Sequence, residues 1–116
     1  QADYERAEAL FKHSLTLRME LGEKRGLATS LLGLGAVAAT QGQAERAVLL
    51  FASAEVLREV ISVPLPPFIR SNYEQYVMAT RTGLGETRFT EAWAKGRAMA
   101  LDEAIAYALE EASTRA

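Results

Sequence analysis

Apolar positions along this chain recur every three to four residues, the spacing of helices that bury one face, and no stretch alternates with the period of two that a half-buried strand needs. The first stripe runs through Ala7, Leu10, Phe11, Leu15, Leu17 and Leu21, with Asp3 suited to cap its start and Gly22 to end it in a left-handed turn. Glu8 and Lys12 sit one turn apart on its wet face, a favourable pair. A second helix is expected from about Gly26 to Gln41, closed by Gly42, and a third from near Gln43 to about Ile61. Val63-Pro64-Leu65-Pro66-Pro67 cannot continue it, but Pro66 or Pro67 suits the first turn of a fourth helix carrying Ile69, Tyr73, Tyr76, Val77 and Leu84 and stopping at Gly83 or Gly85. Phe89, Ala92, Trp93 and Gly96 mark a fifth helix. Leu101, Ala104, Ile105, Ala108 and Leu109 mark a sixth, with Asp102 and Glu103 at its positive end. Alanine and leucine abound and β-branched residues are few, so local propensity agrees. The expected fold class is all-α, with about six helices.

Sliding the chain by 40 residues lays Glu5-Arg6-Ala7 on Glu45-Arg46-Ala47, Leu10-Phe11 on Leu50-Phe51 and Leu17-Arg18 on Leu57-Arg58. Identities at a single ungapped offset make the first and third helices copies of one element, with the second as the partner lying between them.

Composition narrows what such a chain can do. At 116 residues and 49% hydrophobic, it has enough apolar material for a real core. Thirteen basic against fifteen acidic residues leave a net charge of −2, with no basic stripe to hold a phosphate backbone, so direct nucleic-acid binding is not expected. There is no cysteine and His13 is the sole histidine, so thiolate and multi-histidine metal sites are excluded; no metal or cofactor is expected. The apolar run from Leu34 to Ala39 falls far short of a membrane span. The polar start, Gln1-Ala2-Asp3-Tyr4-Glu5-Arg6, lacks Met and reads as a cut through a longer protein.

Other motifs have plainer readings. Gly33-Leu34-Gly35-Ala36-Val37-Ala38 fits G-x-G-x-x-A, but that fingerprint works only where a strand delivers the backbone to a helix N-terminus. Here the glycines fall inside a helix and serve packing. His13 has no nucleophile or orienting carboxylate at a supporting spacing and reads as a surface residue. Glu5, Glu8, Glu45 and Glu55 lie on helix faces near Arg or Lys, as solvated ion pairs do. No catalytic residue is assigned. Pro64-Leu65-Pro66-Pro67 contains P-x-x-P but acts as a helix-ending linker.

Leu34-Gly35, Gly42, Ala47, Phe51 and Ala54 stand at the intervals of the tetratricopeptide repeat, which the chain resembles. Leu31 replaces the aromatic residue of its first helix, and Glu59 replaces its late proline. The resemblance implies that residues 26–61 are one complete repeat, that 1–22 form the second helix of a truncated one, and that 67–116 are divergent capping helices, all in a single short right-handed superhelix. Gly35 and Ala47 are expected to let neighbouring helices approach closely, with Phe51 filling the space to the next hairpin. Phe89 and Trp93 are expected to seal the last layer. The 40-residue period, Leu21-Gly22-Glu23-Lys24-Arg25-Gly26 and the tail from Leu84-Gly85-Glu86 to Leu101-Asp102-Glu103-Ala104 are similar to the C-terminal repeat arrays of bacterial signal-transducing ATPases and LuxR-type transcription regulators.

Carried over residue by residue, the resemblance makes Thr29, Leu32, Ala36, Ala39 and Thr40 the lining of a concave binding face. Arg70, Tyr73, Tyr76 and Arg81 on the fourth helix are candidates to extend it, with a place in the core the alternative reading for Tyr73 and Tyr76. The five are small or apolar and offer no basic clamp. It therefore implies a non-catalytic, cytoplasmic interaction scaffold or sensor arm that takes a protein, a peptide or another domain of the same protein. Alternatively, the repeats self-associate, as a homodimer through the bared N-terminal face, or pack within their own protein with no external ligand.

Overall fold

The computed structural model describes residues 2–110, the side chain of Ala2 apart, and within them it is helical with no strand. Helix α1 (Ala2–Leu21) meets α2 (Lys24–Thr40) across Gly22 and Glu23 alone, and α2 meets α3 (Ala44–Ile61) across three residues. Both turns close the same way. Gly22, at φ 67°, donates its N–H to the Met19 carbonyl (3.1 Å), and Glu23 donates to Arg18 (3.0 Å). Gly42, at φ 79°, repeats the pattern on Ala39, with Gln43 on Ala38. These paired bonds satisfy the last helical carbonyls and need a left-handed residue, which glycine supplies without steric cost. Linkers this short make α1, α2 and α3 an antiparallel series.

Two boundaries differ from expectation. The linker foreseen from Gly22 to Gly26 is two residues long, because α2 starts at Lys24 and takes Gly26 into its first turn. Asp3 is not a cap; it lies in the first turn of α1, where a carboxylate still favours the positive end of the helix. Beyond α3, Pro66 caps α4 (Pro67–Leu84) and Pro67 opens it. Gly85 (φ 85°) alone separates α4 from α5 (Glu86–Ala98), and α6 (Leu101–Leu109) follows.

Helix α3 is the hub. Every residue from Arg46 to Ala54 is buried, and α2, α4, α5 and α6 all pack on it. An apolar run with no polar stripe is what a helix enclosed on all sides requires. Against α2, Ala38 and Ala47 share a buried cluster with Phe51. Gly35 makes room for the Phe51 ring: a Cβ there would lie 2.6 Å from the ring's Cε1. On the other side of α2, Gly33 takes the Phe11 ring in the same way. Phe51 also meets the next hairpin, standing edge-on to Tyr73 with ring centroids 5.3 Å apart.

The C-terminal helices leave the regular pattern. Gly96 of α5 lies so close to α3 that a Cβ would fall 2.8 Å from both the Leu49 carbonyl oxygen and Ala52 Cβ. Ser53 Oγ sits 2.8 Å from the Leu49 carbonyl and 3.1 Å from that of Gly96, its one proton shared between them. Phe89 and Trp93 stack at 5.7 Å, with Phe89 buried against Val48 and Ala92. Helix α6 turns back instead of extending the stack. Its Ile105 and Ala108 join Leu15, Leu31 and Leu50 in one core cluster. The buried Arg46 guanidinium donates to the Ala108 carbonyl (2.9 Å), and Lys12 Nζ donates to that of Glu110 (3.2 Å), so two cations hold the negative end of α6.

Candidate functional site

The surface assigned to binding starts on α2. Thr29 and Thr40 are exposed, and Leu32, Ala36 and Ala39 are half-buried. Both threonine hydroxyls are turned inward along their own helix, Thr29 donating to the Arg25 carbonyl (3.1 Å) and Thr40 to that of Ala36 (2.8 Å). Leu32 and Ala39 pack beside Phe51, Tyr73 and Val77. Thr29 and Leu32 line an apolar cleft of about 360 Å³ shared with Ile61, the Val63–Pro66 linker and Ile69. Ala36, Ala39 and Thr40 are not part of that cleft, so the five positions do not share it.

A second cleft, of about 510 Å³, lies between the end of α3 and the start of α4 and shares Val63, Pro64 and Leu65 of the linker with the first. Arg58 borders both clefts. It is only 9% exposed, lies over the Tyr73 ring at 5.4 Å, and its Nη1 has no hydrogen-bond partner. Tyr73 Oη is likewise buried without one. Burial pushes the Tyr73 phenol up to about 12; the Glu55 carboxylate adds to the rise and Arg58 opposes it. The nearby carboxylates are engaged elsewhere: Arg97 of α5 donates to Glu55 (3.0 Å) and to both oxygens of Glu59 (2.9 and 3.2 Å). That hydrogen bond holds the exposed Glu59 carboxyl below its ordinary range.

A third and larger cleft, about 820 Å³, opens between α4 and α5, with Val77, Met78, Phe89 and Trp93 forming its walls. Of the fourth-helix residues proposed to extend the groove, Arg70 reaches the 510 Å³ cleft and Tyr73 borders two clefts. Tyr76 stands 6.5 Å from Phe51, and Arg81 is paired with Glu86 and laid over Phe89. His13 is exposed. Glu8 and Lys12 form the expected pair at 3.2 Å.

The repeat positions fall where packing needs them: Leu34, Gly35, Ala47, Phe51 and Ala54 are buried, and Gly42 makes the left-handed turn. A family profile described as "Tetratricopeptide repeat" matches residues 1–59. The chain belongs to the tetratricopeptide-repeat family. Beyond that match, this tetratricopeptide-repeat chain is 32% identical over 95 residues to proteins of Mycobacterium tuberculosis and Mycobacterium bovis named as HTH-type transcriptional regulators. The alignment covers 82% of the chain and 11% of each relative. Those names agree with the resemblance to bacterial regulators. No solved structure matches. Among the described residues, no helix is long and apolar enough to cross a membrane.

Sequence reasoning passed over Arg58, Arg97 and Arg46. A signal for Arg58 was present in the repeat itself. Its counterpart Arg18 is paired with Glu23, whereas the residue forty positions beyond Glu23 is Val63.

Proposed function

We propose that this chain is a non-catalytic interaction arm of a larger bacterial transcription regulator, working in the cytoplasm, with the α2 surface at Thr29, Leu32, Ala36, Ala39 and Thr40 facing a protein, a peptide or a neighbouring domain. The observation that carries the reading is the repeat architecture, which stacks helical hairpins to build binding surfaces. The similarity to regulators of which the chain spans only 11% supports the larger context. The apolar cleft at Thr29 and Leu32 suits an apolar segment. Amide hydrogen exchange in the whole regulator tests this. Protection of α2 that is lost in a Leu32→Glu variant supports a docked partner on this face. Equal exchange of α2 in the whole protein and in the isolated chain overturns it.

A second reading, self-association, rests on α1. Leu10, Leu17 and Leu21 are 64%, 44% and 66% exposed and share one side of that helix. Sedimentation of the chain beside a Leu10→Ser/Leu17→Ser variant separates the two. A dimer that the double substitution dissolves supports self-association, and a monomer at all concentrations rejects it.

A further inference from the structure

Helices α4 and α5 are joined by Gly85 alone, yet they part beyond that turn to leave the 820 Å³ cleft between them. The reason lies on the far side of α5, where Gly96 brings the helix down onto the Leu49 backbone of α3. A space of this volume is in the range that takes a small molecule. Its walls are apolar and aromatic, with Val77 and Met78 from α4 facing Phe89 and Trp93 from α5. Met78 is 68% exposed, so apolar surface stands in water there with nothing packed against it.

Charge is unevenly distributed around this cleft. Arg81, near the Gly85 turn, is paired with Glu86 at 3.2 Å and lies over the Phe89 ring at 4.6 Å. Arg97, toward the open end, is shared by two acids, Glu55 at 3.0 Å and Glu59 at 2.9 Å. Both arginines that line the cleft are therefore matched. Glu74, which lines it from α4 and is exposed, has no cation at ion-pair distance among the described residues. Arg58 and Arg70 border the neighbouring 510 Å³ cleft and not this one. At the open end three carboxylates thus answer to one guanidinium, a field that repels an anion and attracts a cation. The aromatic wall works in the same direction, as the Arg81 guanidinium over Phe89 already illustrates.

We propose that the α4–α5 cleft binds a small organic cation with an apolar or aromatic body, its ammonium group beside Glu74 and its body against Met78 and Trp93. The cleft shares no residue with the α2 surface and does not depend on that surface's role.

Trp93 is the chain's sole tryptophan, so its fluorescence reads the cleft directly. Three probes with one body and different charge decide the matter at neutral pH: phenylbutylammonium, phenylbutanol and phenylbutyrate. Saturable change with the amine, weaker with the alcohol and weakest with the acid, supports the site. Glu74→Gln should weaken the amine by about threefold or more and leave the alcohol unchanged, with no loss of melting temperature because the side chain is exposed. Glu91→Gln, which removes an exposed acid of α5 outside the cleft, should change neither. Added salt should lower the affinity for the amine alone. The proposal is overturned if the alcohol binds as tightly as the amine, if Glu74→Gln binds the amine like the parent chain, or if no probe binds. Binding of acetyl-Leu-Lys-Phe-Leu-amide without binding of the amine also overturns it, and gives the cleft to a protein segment.

Discussion

Phe51 on α3 occupies space that only a residue without a side chain leaves open at Gly35 on α2: a Cβ there would lie 2.6 and 2.7 Å from two ring carbons. Phe51 is fully buried, so the ring has nowhere simple to go. Gly35→Ala should therefore destabilise the fold by about 1–3 kcal/mol, the usual cost of overpacking, although alanine is the better helix former. Phe51→Leu alone should cost a comparable amount through the lost volume. If the contact is direct, chemical denaturation of the double variant will show the two costs to be well short of additive.

Gly83 and Gly96 make a matched pair for a second prediction. Both lie within helices, but a Cβ on Gly83 meets nothing within 4 Å, whereas one on Gly96 strikes the Leu49 backbone. Gly83→Ala should raise stability by about 0.5–1 kcal/mol through propensity and a stiffer unfolded chain. Gly96→Ala should lower it by about 1–3 kcal/mol or more, since backbone cannot step aside as a side chain can. Thermal melts that moved both variants in the same direction would contradict this packing.

Ser62 closes α3 with the same two bonds that Gly22 uses for α1, but at φ 56° and with a Cβ. Ser62→Gly should stabilise the chain by up to about 1 kcal/mol, and Gly22→Ser should cost a similar amount or more. Denaturant midpoints shifting in opposite directions are the expected result.

Arg97, bridging Glu55 and Glu59, governs an acid-dependent contribution. The Glu59 carboxyl is held below its ordinary value of 4.5, first by the Arg97 hydrogen bond. A group depressed in the folded state stabilises above its unfolded value, and that contribution fades as pH falls through the lower, folded one. Glu59 is exposed and Arg97 and Glu55 partly so, and the effect should weaken in high salt. Carboxyl-carbon NMR titration should place the Glu59 midpoint below 4.5, and Arg97→Gln should move it up toward that value.

The helices and their ends were legible because glycine and proline mark them chemically: Gly22, Gly42, Pro67 and Gly85 all stand at real boundaries. So was the Phe51 wedge, since Phe51 stands at the repeat's interval from Gly35, Gly42 and Ala47. What stayed hidden depends on neighbours distant in sequence. Gly35 looked like a place for a helix to approach, yet nothing in local pattern says that a ring from α3 fills it. Arg58 looked like Arg18, and only burial by the linker and α4 separates their fates. The return of α6 was invisible because an amphipathic stripe specifies that a face is covered and not by which helix. The α2 surface was chosen by analogy with the repeat, and there the structure joins Thr29 and Leu32 in one cleft while leaving Ala36, Ala39 and Thr40 outside it.

The hydrogen bond from Lys12 to Glu110 spans 98 positions of sequence. An open solenoid can fray one unit at a time, but among the described residues α6 packs back on α1, α2 and α3, so those helices are held together. Melting should accordingly be all-or-none, with α1 and α6 losing amide protection together, and Arg46→Ala should loosen α1 and α6 as one although the substitution lies on α3.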